Sequence, residues 1–140
     1  MRNIIYRLVL IIIVVSTLST CGGGGGDGAG TGGADLFPSM VLTWDPPTEY
    51  VTGESVVSTL EEIGAYRIYV KTATNFSDAD NYVEVPAVLD NQVVSTYDLK
   101  LSASFFGLKS GVQYYVAMRV VSAVSNEVSD FSTPGPPFSF

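Results

Sequence analysis

The sequence predicts an all-β domain built as an antiparallel sandwich of six or seven short strands. Three observations carry that expectation. From Leu36 onward apolar and polar residues alternate with period two in short runs, and no long segment carries a helical period. Those runs are rich in β-branched and aromatic residues. Turn residues punctuate them at the short spacing of an all-β fold. The chain has 140 residues, which is room for one domain. About a hundred residues can bury a workable core without a disulfide. None is possible within one chain, because Cys21 is the only cysteine.

Each element follows from its own pattern. Met40 to Trp44 places Met40, Leu42 and Trp44 on one face. Asp45-Pro46-Pro47 stops that strand, since proline donates nothing to a ladder. Glu54 to Ile63 has the composition for one helical turn but reads as a long loop. Tyr66 to Lys71 sets Tyr66, Ile68 and Val70 on one face and Arg67 and Lys71 on the other. Tyr82 to Val85 is a shorter strand ended by Pro86. Ser95 to Leu101 alternates, and Val112 to Val121 is the longest and most apolar run. A final strand is expected from about Glu127 to Phe131, ahead of Pro134-Gly135-Pro136-Pro137.

Three of these segments resemble fibronectin type III domains, an immunoglobulin-like sandwich. Leu42-Thr43-Trp44-Asp45-Pro46-Pro47 resembles the second-strand signature, where the tryptophan packs across the core. Tyr66-Arg67-Ile68-Tyr69 resembles the third strand. Leu108, Gly111 and Tyr114 have the spacing of the family's corner motif. The resemblance implies that Leu108 plugs one end and that the Tyr114 hydroxyl bonds back a few residues upstream. Asn126 to Ser132 is similar to the turn that enters the last strand in bacterial members. The match covers roughly residues 38 to 133, although Trp44 and Tyr114 would serve as plain core residues in any sandwich. Only Leu36 to Ser39 precedes the tryptophan strand, so the first strand is short or absent. The C-terminal tail to Phe140 is a candidate to cover the edge this leaves. Ser102 to Gly107 stands as an insertion before the corner, with Phe105 and Phe106 expected beneath the corner rather than on the surface.

The N-terminus reads as an address. Arg2 and Arg7 precede an apolar run from Leu8 to Val15, then small residues up to Cys21, the pattern of a signal peptide over residues 1–20. The wider apolar stretch from Ile4 to Leu18 is interrupted by Arg7 and is too short to span a bilayer. Leu18-Ser19-Thr20-Cys21 resembles the bacterial lipobox. That resemblance implies a diacylglycerated Cys21 thiol, cleavage just before it and acylation of the new amine. Thr20 departs from the preferred Gly, Ala or Ser but keeps the small size. Several acyl chains on one residue give stable anchoring. Gly22 stands where an aspartate would imply inner-membrane retention, so the resemblance implies the outer membrane. Residues 21–35, pentaglycine included, bury nothing and read as a flexible tether with a reach of about 20 Å. The folded domain is then residues 36–140.

Composition narrows the function. The chain counts 14 acidic and 7 basic residues, and removal of Arg2 and Arg7 leaves a net charge of −9. That balance argues against nucleic acid as a partner and against electrostatic docking on an anionic membrane. There is no histidine, so Ser-His-Asp and Cys-His sites are impossible within the chain, and zinc has too few ligands. Asp78-Ala79-Asp80-Asn81 places oxygen ligands at alternate positions, as calcium loops do, but lacks the glycine and terminal glutamate. We read these as solvated loop charges and expect neither metal nor cofactor nor catalysis. The expected function is a protein-interaction or spacer module held at the cell envelope by its N-terminal lipid. The candidate contact surface is the long acidic loop, with Tyr50, Val51, Glu54, Val56 and Val57. Two alternatives are a structural subunit that shares strands through the open edge and a carbohydrate-binding accessory using Tyr50, Tyr69 and Tyr115. Tyr69 and Tyr115, however, fit cross-strand pairs better than a sugar platform.

Overall fold

The computed structural model describes residues 39–50 and 53–139. The described chain is mostly strands in antiparallel sheets. The elements run β1 (Val41–Thr43), α1 (Thr59–Glu62), β2 (Ile63–Lys71), β3 (Tyr82–Pro86), β4 (Val88–Leu89), β5 (Gln92–Val93) and β6 (Thr96–Asp98). A 3-10 turn (Leu99–Ser102), α2 (Ala103–Phe106) and β7 (Tyr115–Ser122) complete them. β2 lies at the centre of one sheet, paired with β3 on one side and β7 on the other. β1 pairs with β6, from Val41 opposite Asp98 to Thr43 opposite Thr96. The two sheets feed one hydrophobic cluster. Leu42 and Trp44 come from the β1 side, Tyr66, Ile68 and Val70 from β2, and Val116, Met118 and Val120 from β7.

Trp44 and Tyr66 join the two sheets. Both are fully buried, and their rings meet edge to face with centroids 5.0 Å apart. Neither the indole N–H nor the phenol hydroxyl has a hydrogen-bond partner among the described residues. Leaving each unsatisfied costs about 1–3 kcal/mol. Burying two such rings returns about 4–6 kcal/mol each, so apolar burial wins. Burial also pushes the Tyr66 hydroxyl up to about 12, with the nearby Trp44 N–H opposing the shift.

Residues 108–114 form a corner closed by a side-chain bond. Leu108 is buried, Gly111 adopts the left-handed region at φ 74°, and the Lys109 N–H donates to the Tyr114 hydroxyl at 2.8 Å.

Several expectations need correction. First, β2 begins three residues before Tyr66, across a bulge at Gly64. A Cβ there would sit 3.3 Å from the Ala123 Cα, so the close approach favours glycine. Second, the strand expected from Ser95 to Leu101 ends at Asp98. The Asp98 carboxylate accepts from the Ser39 hydroxyl at 2.6 Å, the Met40 N–H at 3.1 Å and the Lys100 N–H at 3.0 Å. This bends the chain into the 3-10 turn and ties down the entry to β1. Third, the loop from Glu54 to Ile63 closes with a helical turn, α1. Phe106 packs against the core, but Phe105 is 56% exposed rather than buried.

Fourth, the expected strand from Glu127 to Phe131 is not a regular strand. The C-terminal segment follows β7 antiparallel through Ser129 N–H to Val120 O, Ser132 N–H to Met118 O and Gly135 N–H to Val116 O, at 2.8–3.0 Å. Phe138 and Tyr114 then exchange N–H···O bonds. The segment thus advances three residues for every two along β7, which an ordinary ladder does not allow. The Ser129 and Ser132 hydroxyls fill the resulting gaps, accepting from the Val120 and Met118 N–H groups at 2.9 Å each. The tail therefore lies along β7 and does not cover β1, whose only strand partner among the described residues is β6. A hairpin the sequence reading missed, β4–β5, turns at Asp90 and Asn91 with φ 51° and 60°, the left-handed pair of a tight primed turn.

Replacing Ser129 or Ser132 with alanine strands a buried β7 N–H. Each substitution is expected to lower urea-unfolding stability by about 1–3 kcal/mol, whereas Ser104→Ala on the exposed side of α2 should be nearly neutral. Acid should act through Asp98. Burial raises its carboxyl, but the bonds from Ser39, Lys100 and Met40 outweigh burial and hold it below its ordinary value. A depressed folded value stabilises above the unfolded pKa of about 3.9 and is lost as pH falls through the folded value. The thermal midpoint should therefore drop below about pH 4, and Asp98→Asn, lower at neutral pH, should show a shallower drop.

Candidate interaction surface

Strand direction sorts the loops into two ends. At one end, Trp44 leaves β1 beside Ser95, β2 begins at Ile63 beside Ala87, and β7 ends beside Ala123. The long loop, the β4–β5 hairpin and the turn after β7 converge there. We call this the loop end. At the other, the entry end, Ser39 enters β1 beside Asp98, β2 finishes at Lys71, and the 3-10 turn, α2 and the corner gather. A hollow of about 410 Å3 there joins Lys71 and Thr72 to Phe106 and Lys109.

The long loop is itself ordered by backbone and side-chain bonds. The Tyr50 N–H donates to Glu54 O at 2.8 Å, the Gly53 N–H to Tyr50 O at 2.9 Å, and the Val56 N–H to Thr48 O at 2.8 Å. Glu62, on α1, clamps the return. It accepts from the Val57 and Ser58 N–H groups at 2.9 and 3.1 Å and from the Tyr50 hydroxyl. Between this loop and the turn after β7 lies an open groove of about 630 Å3, lined by Tyr50, Glu54, Val57, Glu62, Ser122 and Val124 among others. Val57 is 91% exposed on one rim and Val124 77% on the other.

Of the residues the sequence singled out, Tyr50, Glu54 and Val57 line the groove. Val56 does not; it packs against the core, because alternation in the loop's small ladder turns it inward. Val51 lies outside the described residues, as do Leu18, Ser19, Thr20 and Cys21. Glu62 and Val124 were missed. Val124 has no periodic signal, and only the fold brings it opposite Val57. Among the described residues, no helix is long and apolar enough to cross a membrane.

The outer face of the three-stranded sheet is covered around Tyr69. Tyr69 is 1% exposed, covered by Phe131 at 4.9 Å, Tyr82 at 5.3 Å and Phe76 at 6.5 Å between centroids. Tyr69 and Tyr82 are direct cross-strand partners, and Tyr115 faces Lys71. A buried Tyr69 offers no face to a sugar ring, which removes it from the carbohydrate platform. Arg67, Lys71 and Arg119 lie over Tyr82, Phe76 and Phe131 at 4.6, 5.2 and 4.8 Å. Each also meets an acid: Arg67 with Glu84, Lys71 with Asp80, and Arg119 with Asp78. The two aspartates of the calcium-like stretch are thus committed to cations. Among the described residues, no three metal-ligating side chains gather.

Comparisons with protein-family models, with curated proteins and with solved structures find no match for this chain.

The Glu62 clamp can be tested directly. Glu62→Ala removes the acceptor shared by Tyr50, Val57 and Ser58. Cleavage within residues 45–58 by a non-specific protease should accelerate several-fold, as expected when local opening costs less. An unchanged rate would show that the backbone bonds alone hold the loop.

Proposed function

We propose that the chain is a non-catalytic, lipid-anchored envelope protein whose fibronectin type III-like sandwich holds its loop end out toward a protein partner. One observation carries this reading. The chain enters β1 at the end opposite the groove, so a tether arriving at Ser39 from Cys21 leaves the groove pointing away from its anchor. The Lys109–Tyr114 corner bond and the Trp44–Tyr66 contact support the sandwich assignment. The lipobox-like run supports the anchor, and Gly22 supports the outer membrane. A histidine-free chain whose groove glutamate Glu62 is engaged in holding a loop supports binding over turnover.

A second reading, strand-sharing assembly, draws on β1, which has β6 alone as strand partner among the described residues. It requires an oligomer in size-exclusion chromatography that persists at high salt, because backbone ladder bonds carry no net charge.

The anchor is tested by growing cells on radioactive palmitate. The wild-type chain should take up label and partition with membranes. Cys21→Ala should lose the label and accumulate unprocessed. Label retained in the variant would refute the anchor.

A further inference from the structure

We propose that the outward face of the helical turns at the entry end inserts into the phospholipid surface to which the chain is anchored. The inference rests on the lipid anchor proposed above and adds what the domain does once held there. It lies with its entry end on the bilayer and its loop end outermost.

The 3-10 turn and α2 form one amphipathic stretch from Leu99 to Phe106. Leu99, Ser102 and Ala103 are buried, and Phe106 is half-buried against the core. Their spacing of three and four residues is that of an inward-facing helical stripe. The opposite stripe is Leu101, Ser104 and Phe105, all exposed. On a helix that faces only water such a stripe is polar. Here it carries a leucine 78% exposed and, one helical turn on, an exposed phenylalanine. The Phe105 ring meets Phe106 edge to face with centroids 5.1 Å apart, so a residue packed on the core fixes its direction. Paired apolar side chains on an outward face mark a contact with a membrane or a protein.

The position of the face selects the membrane. Ser39, where the described chain enters β1, donates from its hydroxyl to the Asp98 carboxylate at 2.6 Å. The three residues from Asp98 to Leu101 span at most about 11 Å. The root of the tether and the apolar face therefore lie side by side. Seventeen residues separate Cys21 from Ser39 and reach at most about 60 Å. A lipid on Cys21 thus confines the domain near the bilayer and attaches it at this end, not at the loop end. Insertion is then intramolecular, so two side chains suffice where they would not hold a free protein.

The local charge fits the same surface. Residues 99–114 contain no aspartate or glutamate, in a chain that has 14. Asp98, the acid at their border, accepts from Ser39, Met40 and Lys100. The loop end carries Glu54, Glu61, Asp90 and Glu127, which headgroup phosphates would repel. Of the two ends, the entry end is the one that meets a bilayer without bringing acids to it.

The test uses the full chain reconstituted into phosphatidylcholine vesicles. An acylated Cys21 takes no maleimide, so Ser104→Cys supplies the one thiol for a fluorescent probe beside Leu101 and Phe105. Quenching of that probe by acrylamide should be at least about threefold weaker than in the same chain carrying Leu101→Ser and Phe105→Ser, as expected for a side chain sunk below the headgroups. A probe on Val124→Cys at the loop end should be quenched fully. The double variant should still float with the vesicles and melt unchanged, and Leu101→Ile with Phe105→Trp should keep the shielding. Shielding should persist from about 0.05 to 0.5 M salt, because apolar insertion is not screened. A chain that floats while its Ser104→Cys probe stays in water, or keeps its shielding in the double variant, would overturn this inference alone. Shielding that fades as protein is diluted in lipid would assign the face to a contact between copies and overturn it too. A chain that fails to float, or a wild type that takes the probe on Cys21, would remove the anchor and this inference with it.

Discussion

β2 is buried on both faces, and the rest of the domain is arranged around that constraint. Its inner face carries Tyr66, Ile68 and Val70 into the shared core, where Tyr66 meets Trp44 from the other sheet. Its outer face carries Tyr69, which ordinary one-sided burial would leave in water. Three segments distant in sequence supply the cover. Phe76 comes from the turn after β2, Tyr82 from β3 and Phe131 from the C-terminal segment. Arg67 and Arg119 face each other directly across β2 and β7, an arrangement that repels by itself. Each is held instead by an acid and a ring. The outer face around Tyr69 is thereby closed by side chains of the domain itself.

The local pattern was legible where one principle acted alone. β1 and β2 follow from period-two alternation, β3 from a short β-rich run ended by Pro86, and β7 from an apolar run, although it starts at Tyr115 rather than Val112, while the corner was suggested by a resemblance in spacing rather than by alternation. Legibility failed where a side chain took over a backbone role. Asp98 reads as one more alternating residue, yet its carboxylate collects three donors and ends the strand. Ser129 and Ser132 read as polar positions of an ordinary strand. Their spacing of three is the signal, because it matches a segment that advances three residues against two along β7. The candidate surface was half legible for the same reason. An acidic loop with Tyr50, Glu54 and Val57 was visible in the sequence, but its opposite rim at Val124 depends on the fold.

Net charge shows most clearly what a sequence sum conceals. A strongly acidic chain argues against attraction to anything negative, and that remains true of the average. The average, however, describes no part of the surface. Three cations are taken into the aromatic cover of the outer face, where they neutralise nearby acids. Lys100 lies beside Asp98 at the end where the chain enters β1, whereas the loop end carries Glu54, Glu61, Asp90 and Glu127 with no lysine or arginine. The loop end is therefore more acidic than the whole chain suggests, while both ends share exposed apolar side chains. The described chain enters β1 at the end opposite the acidic groove, so whatever precedes Ser39 meets the domain away from that groove.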